Sequence, residues 1–197
     1  MNWQVPAHCK GLVFDCDGTV VDNMSLHYEA WSKTLECHGI SLEESRFYSW
    51  AGRPVVDIIA HLCAEQRIRV DTRQVEQEYE NYFRGLPKHR LQPVRIVVEI
   101  ARHFRGRLPL AIATGSTTES ASTSLEAGVL HWFDAIVSST DLSKPKPAPD
   151  VFLAAARAIG VPAHACVAFE DGDLGLQAAR AARMTAVDVR PWRPRQQ

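Results

Sequence analysis

Asp15 and Asp17 stand two positions apart in "VFDCDGTV" (13–20), where an apolar run meets a glycine. Alternate residues of a strand share a face, so both carboxylates point the same way. Burying a bare carboxylate costs about several kcal/mol, so each must be solvated, paired or metal-bound. Three later stretches offer matching chemistry. "ATGS" (113–116) puts Thr114 and the amides of Gly115 and Ser116 at an expected helix N-terminus, a setting that suits an anion. "KPKPAPD" (144–150) holds Lys146 stiffly beside Pro147 and Pro149, and "FEDGDLG" (169–175) sets Glu170 next to Asp171. Carboxylates beside a hydroxyl, free amides and an ammonium make a poor structural arrangement on their own. A hard cation and a phosphate balance it. Mg²⁺ takes oxygen ligands, keeps several waters and shares its shell with substrate phosphate, while hydroxyl, amides and ammonium hold the remaining phosphate oxygens.

The elements that must position these groups are legible as five short apolar runs: "GLVFD" (11–15), "LPLAIA" (108–113), "DAIVSS" (134–139), "ACVAFE" (165–170) and "TAVDV" (185–189). Near-continuous apolar runs suit parallel strands buried on both faces. Helical patterns lie between the later ones. In "STTESASTSLEAG" a serine caps and a glycine ends the helix; in "DVFLAAARAIG" Asp150 and Gly160 take those roles. Alternation of strand and helix predicts an α/β fold, a doubly wound, Rossmann-like parallel sheet flanked by helices, with ligands beyond the carboxyl ends of the strands.

The alternation breaks once, between the first two strands, by far more chain than one crossover helix needs. That stretch has helical periodicity over 24–38, 55–66 and 72–84, and "PVRIVVEIARHF" (93–104) leads into the second strand. The expected organisation is a core of residues 1–22 and 88–197 with a small helical insert over 23–87.

The 197 residues are 46% hydrophobic and 23% charged, which suits a globular chain. A net charge of −1 supplies no field to hold nucleic acid or an anionic membrane. No run reads as a signal peptide or a membrane span, and five scattered cysteines without a C-x-x-C pair suit free thiols in a reducing compartment, so the expected location is cytoplasmic. The expected state is a monomer or weak dimer, and the basic tail "RPWRPRQQ" reads as a loose C-terminus. Taken singly, each motif has a plain reading: an Asx-turn at Asp15 and Asp17, a helix cap at Thr114, a solvated loop lysine at Lys146, an acidic helix start at Glu170 and Asp171. Their joint occurrence at four strand ends overturns those readings.

"DCDGT", "ATGS", "KPAPD" and "FEDGDLG", in that order, resemble the four motifs of the haloacid dehalogenase superfamily, and the helical insert resembles that family's cap. The resemblance implies that Asp15 is a nucleophile forming an aspartyl-phosphate and that Asp17 is the acid and base for leaving group and water. It implies that Thr114, Gly115 and Lys146 bind the phosphoryl group. It assigns Mg²⁺ to Asp15, the backbone carbonyl of Asp17, Glu170 and Asp171. Lys144 also precedes a proline, but only Lys146 fits K-P-x-P-D. The flanking sequence is similar to the sugar-phosphate subgroup that holds β-phosphoglucomutase and fructose-1-phosphate phosphatase. The expected activity is hydrolysis of a small sugar phosphate. A phosphoglucomutase-type isomerase is the alternative, and a non-catalytic phosphate-binding module comes last. His27 sits where the mutases carry a hinge histidine, or is a residue of the cap surface. The mutases' cap arginine falls at Val55 here, while Arg53 stands nearer the glycine that matches Gly52 and is a candidate substrate contact. "AARM" departs from the usual Ala-Ala-Gly-Met; a left-handed Arg183 there costs about 1 kcal/mol.

Overall fold

The structure, a computed structural model, describes residues 4–126, 128–138, 140 and 142–193. Five parallel strands form the sheet: β1 (Gly11–Phe14), β4 (Leu110–Thr114), β5 (Ala135–Ser138), β6 (Cys166–Glu170) and β7 (Thr185–Asp188), in the order β5-β4-β1-β6-β7. All five are the apolar runs of the sequence, except that Ser139, the expected last residue of the third, lies outside the described residues. Register is set by pairs such as Leu12↔Leu110 and Leu12↔Val167, which align the carboxyl ends of β1, β4 and β6.

The two sheet faces are packed differently. Val13, Ala111, Ala113, Cys166 and Ala168 meet α7 (Asp150–Ala158) and α8 (Asp173–Ala181) through Phe152, Ala155, Ala178 and Ala179, the alanines letting helix and sheet approach. On the opposite face Leu12, Phe14, Leu110, Ile112 and Phe169 pack with α5 (Arg95–Phe104) and α6 (Thr118–Leu125), the Phe14 and Phe169 rings stacked with centroids 4.7 Å apart.

Between β1 and β4 the chain runs through α1 (Met24–Cys37), α2 (Glu44–Ser49), α3 (Val55–Gln66) and α4 (Thr72–Gly85). It leaves and returns along a two-stranded antiparallel ribbon, β2 (Val21–Asp22) with β3 (Gln92–Pro93). The ribbon and α2 escape sequence reading, being too short to show a period. Tyr79, Phe83 and Val75 of α4 are buried among Trp31 and Leu35 of α1 and Ile59 and Leu62 of α3, the apolar faces that the spacing predicts.

Two caps differ from expectation. Thr117, not Ser116, caps α6, its hydroxyl accepting the Ser120 N–H at 3.2 Å; the Ser116 hydroxyl is turned to Asp17. Pro149 is the N-cap of α7, and Asp150 is its first residue, where a negative charge favours the helix dipole without a capping bond. Gly160 does end α7 with φ +68°. Ala127, in the run assigned to α6, and the tail from residue 194 onward lie outside the described residues.

Candidate active site

Asp15 leaves the end of β1 and Glu170 the end of β6, neighbouring strands, so their side chains converge. Lys146, delivered by the proline-rich loop after β5 through a cis bond to Pro147, reaches between them. Its Nζ lies 2.6 Å from Asp15 Oδ1 and 2.6 Å from Glu170 Oε1, and the lysine is only 3% exposed. One oxygen each of Asp15, Glu170 and Asp171 fall within 4.8 Å of one another. Glu170 and Asp171 are also held from elsewhere. Gly172 N–H donates to Glu170 Oε2 at 2.8 Å, and the Thr19 hydroxyl donates to Asp171 Oδ1 at 3.1 Å.

Two glycines make room for this floor. A Cβ on Gly175, in the first turns of α8, would sit 1.7 Å from Glu170 Oε1. One on Gly18 would sit 2.3 Å from Asp171 Oδ2, at a backbone φ of +83° that already favours glycine.

Burial raises the Asp15 pKa well above the carboxylate range; Lys146 opposes this, and Glu170 and Asp171 raise it further. Burial and Glu170 push Asp171 up to about 7 against the pull of Arg193, Thr19 and Lys146. Burial would drive the Lys146 proton off, but Asp15 and Glu170 outweigh it and raise the ammonium's pKa. Three carboxylates thus face Lys146 and Arg193, an all-oxygen donor set short of positive charge. The donor chemistry fits a hard divalent cation such as Mg²⁺.

Asp17 is set apart from that cluster. Its carboxylate accepts from Asn23 Nδ2 at 2.7 Å, the Ser116 hydroxyl at 2.7 Å and the Ser124 hydroxyl at 3.0 Å, and His27 Nε2 lies 3.1 Å away. Burial alone would raise its pKa, but His27 and the bonds from His27, Asn23 and Ser116 hold it well below the carboxylate range. His27 is therefore no cap-surface residue: it is 4% exposed, stacks on Phe83 at 3.9 Å and bonds Tyr79 Oη through Nδ1 at 2.7 Å. Asn23 also accepts the Gly18 N–H at 3.2 Å, which is why it supplies no side-chain cap to α1.

Thr114 is buried, its hydroxyl accepting the Ser116 N–H at 3.0 Å, and so shapes the turn from β4 into α6. Gly115 and Ser116 line the cleft alongside Asp15, Asp17, Lys146, Glu170 and Asp171, while Arg53 lines it from the helical side. Thr114 is absent from the described lining. The Arg53 guanidinium lies 5.4 Å from the Trp50 ring centroid. Sequence reading missed Asn23, Ser124, Tyr79, Gly175 and Arg193. Asn23 and His27 stand four apart on one helix and could have been paired from spacing; nothing local marks the others.

Carboxylates at neighbouring strand ends, a buried lysine and a helix-borne cleft wall place a polar, acidic cleft at the carboxyl end of an α/β sheet. Residues 9–183 match the haloacid dehalogenase-like hydrolase family, and the chain belongs to that family as a phosphatase-type member. It is 36% identical over 181 residues to the fructose-1-phosphate phosphatase YqaB of Escherichia coli (strain K12), covering 91% of this chain and 96% of that protein. It is 28% identical over 201 residues to the β-phosphoglucomutase of Bacillus subtilis (strain 168), covering 94% of this chain and 85% of that one. The fold superposes on the crystal structure of β-phosphoglucomutase from Clostridium difficile with a TM-score of 0.80 at 21% identity, over 91% and 84% of the two chains. The helical region α2–α4 is consistent with the family's cap.

Proposed function

We propose that this chain is a Mg²⁺-dependent phosphomonoesterase that hydrolyses a small sugar phosphate through an aspartyl-phosphate on Asp15. The observation that carries the reading is the Asp15–Lys146–Glu170 cluster, whose members share 2.6 Å contacts at the ends of two adjacent strands. Asp15, Glu170 and Asp171 would hold the metal. The Asp17 carboxylate is engaged elsewhere, which leaves its backbone carbonyl for that role. The ion supplies charge neutralisation for the phosphoryl oxygens.

Asp15 attacks phosphorus, and the bond to the sugar oxygen breaks. Lys146 and the Gly115 amide take up charge on the transferring group, with the Thr114 hydroxyl fixing the turn through the Ser116 N–H. Asp17 protonates the departing alkoxide, for which it must leave part of its donor network and take up a proton. It then removes a proton from the water that opens the acyl-phosphate. The network of Asn23, His27, Ser116 and Ser124 suits the second task, because it keeps the carboxylate ionised. Residues 23–87 act as the cap over a core of 1–22 and 88–197, excluding bulk water when closed.

The similarity to a fructose-1-phosphate phosphatase makes fructose 1-phosphate the first substrate to try. A panel of sugar phosphates with p-nitrophenyl phosphate, assayed with millimolar magnesium and with chelator, tests the reading; Asp15→Asn abolishes turnover. If every ester stays intact with magnesium present, the reading is wrong. Arg53 on the cap wall favours one second reading, a mutase that grips another phosphate there. Isomerisation of β-glucose 1-phosphate only when glucose 1,6-bisphosphate is added would select it.

A further inference from the structure

The residues just before the described chain ends are not loose. After β7, Val189 is fully buried and donates its N–H to the Glu170 carbonyl at 2.9 Å. A 3₁₀ turn at Arg190–Trp192 follows, with the Trp192 ring 6.4 Å from Phe169 and Arg190 paired to Asp188 at 2.7 Å and to Asp173 at 2.9 Å. This turn carries Arg193 to the acidic floor. Its Nη1 lies 3.0 Å from Asp171 Oδ2 and its Nη2 lies 3.2 Å from Asp22 Oδ1, with the side chain 19% exposed. Asp22 belongs to the β2–β3 ribbon, so the guanidinium fork is held at both ends.

We propose that Arg193 is a positioning residue for Asp171 and a built-in electrostatic competitor of the divalent ion, setting the pocket's metal affinity below what three carboxylates alone would give. The inference rests on the phosphatase reading above. A guanidinium stays charged at every working pH and its planar fork suits two carboxylates at once. A cation drawn to the cluster of Asp15, Glu170 and Asp171 meets that fixed charge in a poorly solvated setting, where repulsion is screened far less than at the surface. Arg193 also holds Asp171 by the oxygen opposite the one bonded to Thr19, which fixes the carboxylate plane. A tail arginine that merely fastened the C-terminus would not change metal binding.

Calorimetric titration of the full chain with Mg²⁺ and Mn²⁺ tests this, alongside melting temperatures in chelator. Arg193→Gln and Arg193→Met, the second retaining an apolar stem, are each expected to bind both ions roughly five- to tenfold tighter than wild type. Arg193→Lys keeps the charge and stays within about twofold of wild type. In chelator the two neutral variants melt a few degrees lower, because one more buried carboxylate loses its partner, and saturating Mg²⁺ narrows that gap. Unchanged or weaker metal binding in the neutral variants overturns the proposal while leaving the phosphatase reading intact. A wild-type chain that binds neither ion overturns both.

Discussion

The floor of the cleft and its helical wall are built on opposite principles. On the floor the carboxylates are tied to fixed partners: Asp15 takes Lys146, Glu170 takes Lys146 and the Gly172 amide, and Asp171 takes Thr19 and Arg193. The wall is made by Trp31, Phe47, Trp50 and Ile58, and Arg53 is the one Lys or Arg among its described cap residues. The Trp50 ring carries the guanidinium of Arg46 at 4.4 Å as well as that of Arg53 at 5.4 Å. A floor locked by short polar bonds has one geometry, suited to one reaction. On the proposed function, a wall of dispersion contacts and an exposed cation would meet the leaving group. Substitutions on the floor therefore strike turnover and metal binding, and those on the wall strike substrate affinity.

The sharpest way to break this contrast is Gly175→Ala. The added methyl would overlap Glu170 Oε1, which cannot swing aside without losing both Lys146 and the Gly172 amide. Mg²⁺ affinity and kcat/KM should each fall at least about a hundredfold. Gly85→Ala, whose Cβ meets nothing within 4 Å, serves as the control and should change neither. A fully active Gly175→Ala enzyme would show that the floor yields as readily as the wall.

A second expectation concerns protons on the floor. Asp171, pushed from its ordinary 3.8 to about 7, must shed a proton before it can hold a cation. Apparent Mg²⁺ affinity should rise by up to about tenfold per pH unit below 7 and flatten above it. In chelator the sign reverses. A carboxyl whose folded pKa is raised contributes stability that is whole below its unfolded value and lost as pH climbs through the folded one. Melting temperature in chelator should therefore fall between about pH 4 and 7, while melting in millimolar Mg²⁺ should not. Metal affinity independent of pH would refute the shared-charge account of the floor.

Arg53→Ala probes the wall. It removes an exposed cation and leaves the floor untouched, so KM for a sugar monophosphate should rise by roughly three- to tenfold with kcat within about twofold. Steady-state kinetics decide it. A hundredfold loss in kcat would place the wall in the chemistry and dissolve the contrast.

The same division governs what could be read from the chain. Strands buried on both faces are written as unbroken apolar runs, the acids stand where those runs stop and the lysine lies in the proline-rich loop after the third, so the sheet and Asp15, Lys146, Glu170 and Asp171 were legible as neighbours-to-be. Pairing such as Val21↔Pro93 is backbone chemistry with no side-chain period to betray it. Ser124 looks like any polar helix residue until α6 docks beside Asp17, 107 positions away in the chain. Arg193 sat in a segment whose prolines and charge read as a tail, because its partners come from two other elements. Sequence patterns report burial and local turns; they do not report which buried polar groups meet.

The smallest expected effect lies far from both regions, in the turn between α8 and β7. Arg183 adopts φ +62°, as the departure from Ala-Ala-Gly-Met implies. Its N–H donates to Arg180 O at 2.9 Å and the Met184 N–H to Ala179 O at 3.0 Å, a left-handed helix ending that glycine enters without strain. The Arg183 side chain is exposed, so Arg183→Gly removes no packing. Relief of the left-handed strain, about 1 kcal/mol, is partly offset by the greater freedom of glycine in the unfolded chain. The net gain should be about 0.5 kcal/mol, or roughly 1–2 °C in Tm for a chain of this size, with metal affinity and kcat/KM unchanged. A melt that moves down instead would mean that the long arginine side chain contributes more at the surface than its backbone costs.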